Sequence, residues 1–89
     1  MIKRFRYSSL FEKKLRSYTK EQRQEIIAEI ETFAQDPFAI HLRTHPLRPP
    51  MAGQYSFSIF PNLLITFRFL KPDHSEVIFY DIGGHEIYK

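Results

Sequence analysis

The chain has no cysteine, no tryptophan and only three glycines in 89 residues. Without thiols there is no disulfide scaffold and no thiolate metal site, a composition that suits a reducing compartment. Long apolar runs are missing too. The stretch from Leu63 to Leu70 is interrupted by Thr66 and Arg68 and falls far short of the roughly 18 residues that suggest a membrane span. No apolar segment follows the basic Lys3, Arg4 and Arg6, so no signal peptide is expected. The length excludes a doubly wound nucleotide-binding fold or a barrel enzyme, since a second core would not fit. The expectation is one soluble, cytoplasmic domain over residues 1–89, with no membrane contact. It must pack efficiently, because a chain of this size buries only about 60% of the surface it exposes when unfolded. Nine phenylalanines and five tyrosines, in a composition that is 43% hydrophobic, supply the material.

Acidic residues are unevenly spread. The net charge is only +3, but no Asp or Glu occurs between Pro37 and Pro72, a segment that holds Arg43, Arg48, Arg68 and Lys71. Residues 1–18 carry six bases (Lys3, Arg4, Arg6, Lys13, Lys14, Arg16) against the single acid Glu12. Five of the ten acids lie between Glu21 and Asp36. A fold that joins the first block to the acid-free one presents a cationic face to phosphate. A buried sheet in the acid-free segment explains the same pattern without any ligand.

Residues Ile2 to Tyr7 read as a first strand. Ser8 or Ser9 caps a helix whose inward positions are Phe11, Leu15 and Tyr18. Thr19 and Gln22 have the spacing of a capping box. The helix that follows places Ile26, Ile27, Ile30, Phe33 and Ala34 on one stripe and stops at Asp36, before Pro37. From Pro37 to Gly53 the prolines and the lack of any period predict an extended loop. Tyr55, Phe57 and Ile59 alternate with Ser56, Ser58 and Phe60 as a strand, and Pro61 and Asn62 turn the chain. Leu63 to Leu70 reads as a buried central strand, Lys71 to Ser75 as a turn, and Val77 to Ile82 as the last strand. Gly83 and Gly84 then release the tail from His85. The order is β-α-α-β-β-β, an α+β fold with two helices packed on one face of a small antiparallel sheet.

Most enzyme signatures are missing: there is no thiol nucleophile, no HExxH, no GxSxG and no glycine-rich phosphate loop. His41 and His45 are four apart, but Pro46 argues against a shared helix and no carboxylate lies near, so no metal or cofactor is expected. An acid–base set remains. His45 precedes the sheet and His85 follows it, and an antiparallel sheet can bring both to one cleft. Two imidazoles can hold one proton acceptor and one donor near neutral pH. RNA cleavage through the ribose 2′-OH needs that division of labour, together with cations on the phosphoryl oxygens. Arg48 and Arg68 are the candidate cations, and Tyr55 and Tyr88 can orient phosphate or stack on a base. Tyr55 alternates with core residues and fits simple packing equally well.

These residues resemble the RelE/ParE superfamily of bacterial toxin–antitoxin toxins, nearest its YafQ-like branch. The resemblance covers almost the whole chain. It runs through Asp36 to Phe38 (DPF), Leu42 to Leu47 (LRTHPL), Gly53 to Ser58 (GQYSFS), Ile65 to Phe69 (ITFRF) and Tyr80 to His85 (YDIGGH) with a terminal aromatic. It implies a small toxin neutralised by a cognate antitoxin. The ribonuclease branches cut mRNA in the A site of the small ribosomal subunit without a metal, whereas the ParE branch inhibits DNA gyrase. By resemblance His45 and His85 match catalytic histidines, and Tyr88 stands near the family's terminal aromatic. The basic helical face with Lys13 and Lys14 fits ribosomal RNA contact and would also suit docking on an acidic antitoxin segment. Two departures stand out. Ser58 and Asn62 occupy hairpin positions where YafQ-like toxins carry His and Asp, and Leu64 stands where many relatives carry arginine. Losing one such donor can cost about 3 kcal/mol in a transition state.

The expectation is a metal-independent, ribosome-dependent mRNA endoribonuclease. His45 and His85 share the acid and base roles in an order left open, Tyr88 positions the substrate, and Arg48, Arg68, Tyr55, Lys13 and Lys14 hold RNA. The rival readings are a non-enzymatic gyrase inhibitor and a decayed toxin that only binds its antitoxin.

Overall fold

A computed structural model describes residues 1–88, without the side chains of His85 and Tyr88. Strand β1 (Arg4–Tyr7) leads into helices α1 (Ser9–Ser17) and α2 (Lys20–Gln35). A 3₁₀ turn (Ile40–Leu42) and a very short strand β2 (His45–Pro46) follow. The chain then forms β3 (Tyr55–Phe60), β4 (Leu63–Phe69), β5 (Glu76–Gly83) and a closing 3₁₀ helix (His85–Tyr88). The strands form one sheet in the order β1-β5-β4-β3-β2. No helix among the described residues is long and apolar enough to cross a membrane.

The helix boundaries follow the capping chemistry. The Ser8 hydroxyl accepts the Phe11 N–H at 3.0 Å. Thr19 and Gln22 form the reciprocal box, with side chain to backbone distances of 2.9 and 3.1 Å. These bonds satisfy amide groups that have no partner within the first helical turn. At the other end of α2, Asp36 is extended, as a residue before proline prefers.

The core lies between the helices and one sheet face. Phe33 of α2 stacks on Phe57 at 4.1 Å and meets Phe67 and Phe79 edge-on at 4.9 and 5.7 Å. Phe11 of α1 covers Phe79 at 5.4 Å. Full burial of each such side chain contributes about 1.5–3 kcal/mol relative to exposure.

The α+β architecture with both helices on one face is the one expected, but three details differ. The sheet is mixed: β1 runs parallel to β5, with Phe5 opposite Val77 and Tyr7 opposite Phe79. Parallel pairing needs a long connection between the two strands, and here everything from α1 to β4 supplies it. The segment read as an uninterrupted loop contains β2, which pairs His45 with Ser56 and Pro46 with Tyr55. Ile27, assigned to the buried stripe, is 47% exposed, whereas its neighbour Ile26 is fully buried. Successive helical residues sit about 100° apart, which carries Ile27 out to the rim of an apolar groove with Tyr7 and Leu15.

Candidate active site

The sheet face away from the core phenylalanines carries a polar row. Register pairs His45 with Ser56, Ser56 with Thr66, and Thr66 with Asp81. Partners opposite each other across antiparallel strands share a face with side chains about 5 Å apart. Four strands therefore contribute one polar residue each to a single line. A bulge makes this register possible. Phe67 pairs with Phe79 while Thr66 pairs with Asp81, so Tyr80 is the extra residue. The bulge turns Ile82 toward the core and keeps Asp81 in the row.

His45 stands exposed at the open end of the row. Its Nδ1 lies 2.8 Å from the Arg43 carbonyl oxygen. A carbonyl only accepts, so the Nδ1–H donates and the neutral ring keeps its lone pair on Nε2. Arg43 aims that carbonyl from a left-handed conformation, with φ of 52°. On the other side, the Ser56 hydroxyl donates to Nε2 across 3.4 Å. Ser56 is fully buried, so its hydroxyl braces the ring from the sheet while the ring itself meets solvent. A basic nitrogen in a set tautomer at an accessible edge is the arrangement a general base requires.

At the opposite end of the row Lys14 of α1 donates to Asp81 Oδ1 at 2.6 Å. The same oxygen accepts the Ile82 N–H at 2.8 Å. Asp81 is thus held from two sides. Between the ends, the Thr66 hydroxyl is buried with no hydrogen-bond partner among the described residues. Next to the row on the same face, Arg68 pairs with Ile78 in register, and Ile78 pairs with Arg6. Two exposed guanidinium groups therefore flank Ile78, one from each of the basic blocks of the sequence. Among the described residues no group of three or more His, Cys, Asp and Glu side chains is placed to hold a metal ion.

The expected site residues are distributed as follows. His45 and Arg68 share the polar face. Arg48 is exposed on the loop after β2 and, with His45, Pro46 and Met51, lines a hollow of about 310 Å³. Lys13 is exposed on α1, while Lys14 is engaged by Asp81. Tyr55 lies on the other sheet face, against Phe67 at 5.5 Å and Phe69 at 5.2 Å. It is not part of the row. The side chains of His85 and Tyr88 lie outside the described residues. Their backbone follows Gly83, which pairs with Leu64 one step beyond the row. Leu64 is 2% exposed, so that position offers no cation.

Sequence reasoning missed Ser56, Thr66, Asp81 and Arg6. Each carried a weak signal: Ser56 and Thr66 as polar positions in apolar strands, Asp81 inside the YDIGGH segment, and Arg6 in the first basic block. None of these signals becomes a site until register aligns them.

No protein-family model and no curated protein sequence matches the chain. The fold, however, is that of known toxins. The YoeB/ParE toxin from Agrobacterium tumefaciens superposes with a TM-score of 0.76 at 18% identity, covering 92% of this chain and 98% of that one. YafQ from Escherichia coli superposes with a TM-score of 0.75 at 16% identity, covering 96% of each chain. The chain is equally similar to a structure of the E. coli DinJ–YafQ toxin–antitoxin complex, with a TM-score of 0.73, 16% identity and coverage of 98% and 97%. The architecture is therefore RelE/ParE-like.

Proposed function

We propose that this chain is the toxin of a toxin–antitoxin pair and acts as a metal-independent, ribosome-dependent mRNA endoribonuclease. The observation that carries the reading is His45, with its proton held on Nδ1 by Arg43 and its basic Nε2, met only by the long 3.4 Å contact from the Ser56 hydroxyl, at the exposed edge of a polar row. In the proposed reaction Nε2 takes the proton from a ribose 2′-OH. The 2′-oxygen attacks the adjacent phosphorus, the bond to the 5′-oxygen breaks, and that oxygen leaves with a proton from the acid. The products are a 2′,3′-cyclic phosphate and a 5′-hydroxyl. His45 is thereby assigned as the base, which leaves the acid role to His85, the match suggested by sequence resemblance. Tyr88 is assigned to substrate positioning on the same ground. Arg68 stabilises charge on the phosphoryl oxygens, in place of the arginine that Leu64 does not supply, while the neighbouring Arg6 is paired with Glu76 at 2.8 Å.

The partner proposed is a cognate antitoxin, as in the DinJ–YafQ complex. In support, the groove of about 440 Å³ between β1, α1 and α2 is lined mostly by apolar side chains. Exposed Tyr7 and Ile27 stand at its edge. That chemistry suits an amphipathic segment.

The test is primer extension on a defined mRNA in reconstituted translation. Wild type is expected to make site-specific cuts that need ribosomes. His45→Ala and His85→Ala should each lower cutting about 10²- to 10⁴-fold, the usual contribution of a general acid or base. Intact mRNA with wild type, or cuts unchanged in both variants, would overturn the reading. A supercoiling assay with gyrase would then decide between inhibition and loss of activity.

A further inference from the structure

Away from the His45 row, the turn between β4 and β5 carries two hollows that meet at Lys71. The first, of about 410 Å³, is walled by Tyr55, Phe69, Lys71 and His74. The His74 ring stacks on Phe69 at 3.8 Å and 14°. Phe38, 49% exposed, packs on both rings at 5.9 Å and meets Tyr55 at 6.3 Å. The shelf is built rather than incidental: His74 is in a left-handed conformation with φ of 61°, and its N–H donates to the Lys71 carbonyl at 3.0 Å.

The second hollow, of about 390 Å³, is lined by Lys3, Arg4, Arg6, Lys71 and Glu76. Its one carboxylate already accepts from Arg6 at 2.8 Å, so Lys3, Arg4 and Lys71 set the local charge. The nearby Asp73 carboxylate accepts the Ser75 N–H at 3.0 Å, and this bonding to Ser75 holds it below the usual carboxylate range.

An aromatic shelf by itself suits many apolar partners, and a basic hollow by itself suits any anion. Side by side they match a ligand that carries flat π faces and phosphates on one chain. No acid occurs from Pro37 to Pro72, and the one carboxylate of the turn itself, Asp73, is engaged by the Ser75 N–H. We infer that this turn is a second binding surface for single-stranded RNA. A base stacks on the shelf formed with Phe38 and His74, and phosphate lies on Lys71, Lys3 and Arg4. At about 3.3 Å per strand residue, Phe69 at the end of β4 is roughly 10 Å along the strand from Thr66, and Lys71 follows it in the turn. The surface therefore engages nucleotides beyond the one being cut. This inference rests on the nuclease reading for the reason RNA is present.

The chain's lack of tryptophan gives a direct test. Phe38→Trp places a single indole on the shelf, its folding checked by thermal melt. The probe is a short, fluorescently labelled single-stranded oligoribonucleotide, 2′-O-methylated so that it has no nucleophile. Binding, followed by anisotropy, is expected to quench the indole. His74→Ala in the wild-type background should weaken binding about tenfold, as expected for one lost base stack. Lys71→Ala should weaken it and flatten its salt dependence. RNA binding with unchanged indole emission and unchanged affinity in His74→Ala would overturn the surface. So would no binding by wild type, or quenching by a protein partner and not by RNA. Cleavage on the ribosome alongside any of these results leaves the nuclease reading standing. RNA binding and quenching without cleavage sinks the nuclease reading alone.

Discussion

At the scale of single residues, the chemistry turns on which nitrogen of His45 carries the proton. The Arg43 carbonyl at 2.8 Å accepts from Nδ1, and the partner of one ring nitrogen sets the state of the other. Neutral His45 is therefore expected to hold its proton on Nδ1, in wild type and in Ser56→Ala alike, because the Arg43 bond survives that change. Long-range ¹⁵N–¹H correlation spectra of the neutral ring report the tautomer directly. A dominant Nε2–H form would remove the basis for calling His45 the base. The sequence marked His45 as a candidate through its place just before the sheet, opposite His85 just after it, and through the resemblance of its LRTHPL segment. Its tautomer was not legible there, because it depends on a left-handed turn at Arg43 and a hydroxyl eleven positions away at Ser56.

At the scale of elements, α1 is fastened across the bulge of β5. The Ser8 N–H donates to the Phe79 carbonyl at 2.9 Å and its hydroxyl to the Tyr80 carbonyl at 2.6 Å, while Lys14 holds Asp81. Just before this clamp Tyr7 stacks on Phe11 at 5.6 Å. Partial burial pushes the Tyr7 phenol above its ordinary 10.0, and the nearby Glu12 carboxylate adds to the rise. Tyr18 is raised too, mainly by burial. A raised folded-state value means that the neutral phenol is favoured by the fold. The stability it contributes is fully present below about pH 10 and is lost as pH climbs through the raised value. Tyr7→Phe should therefore flatten, without abolishing, the loss of stability at high pH, because Tyr18 remains. Urea unfolding from about pH 9 to 12 measures this, and parallel slopes for the two proteins would refute it. The helices were readable because their caps are local. The two-residue β2 was not, since it is too short to show a period and exists only through pairing with β3.

At the scale of the whole molecule, one ring organises the core. Phe33 touches Phe57, Phe67 and Phe79, which come from three adjacent strands. Truncating a buried phenylalanine costs about 3–5 kcal/mol, against a total of about 5–15 kcal/mol for an ordinary domain. Phe33→Ala should leave the protein marginally folded, with a urea midpoint far below wild type. A shift worth less than about 1 kcal/mol would mean that the core closes over the gap. The same packing brings the two basic blocks together. Arg6 and Arg68 come to flank Ile78, and Lys3 and Arg4 share a hollow with Lys71.

The caps, the apolar alternation, the helix stop at Asp36 and the likeness to RelE/ParE toxins were all written in the sequence. Each depends on neighbours within a few residues or on a short quoted segment. The parallel placement of β1, the row from His45 to Asp81 and the meeting of Lys71 with the N-terminal bases were not. Those depend on register and on a one-residue bulge at Tyr80, and in a sheet a shift of one residue turns every side chain to the other face. Only the assembled tertiary structure decides that.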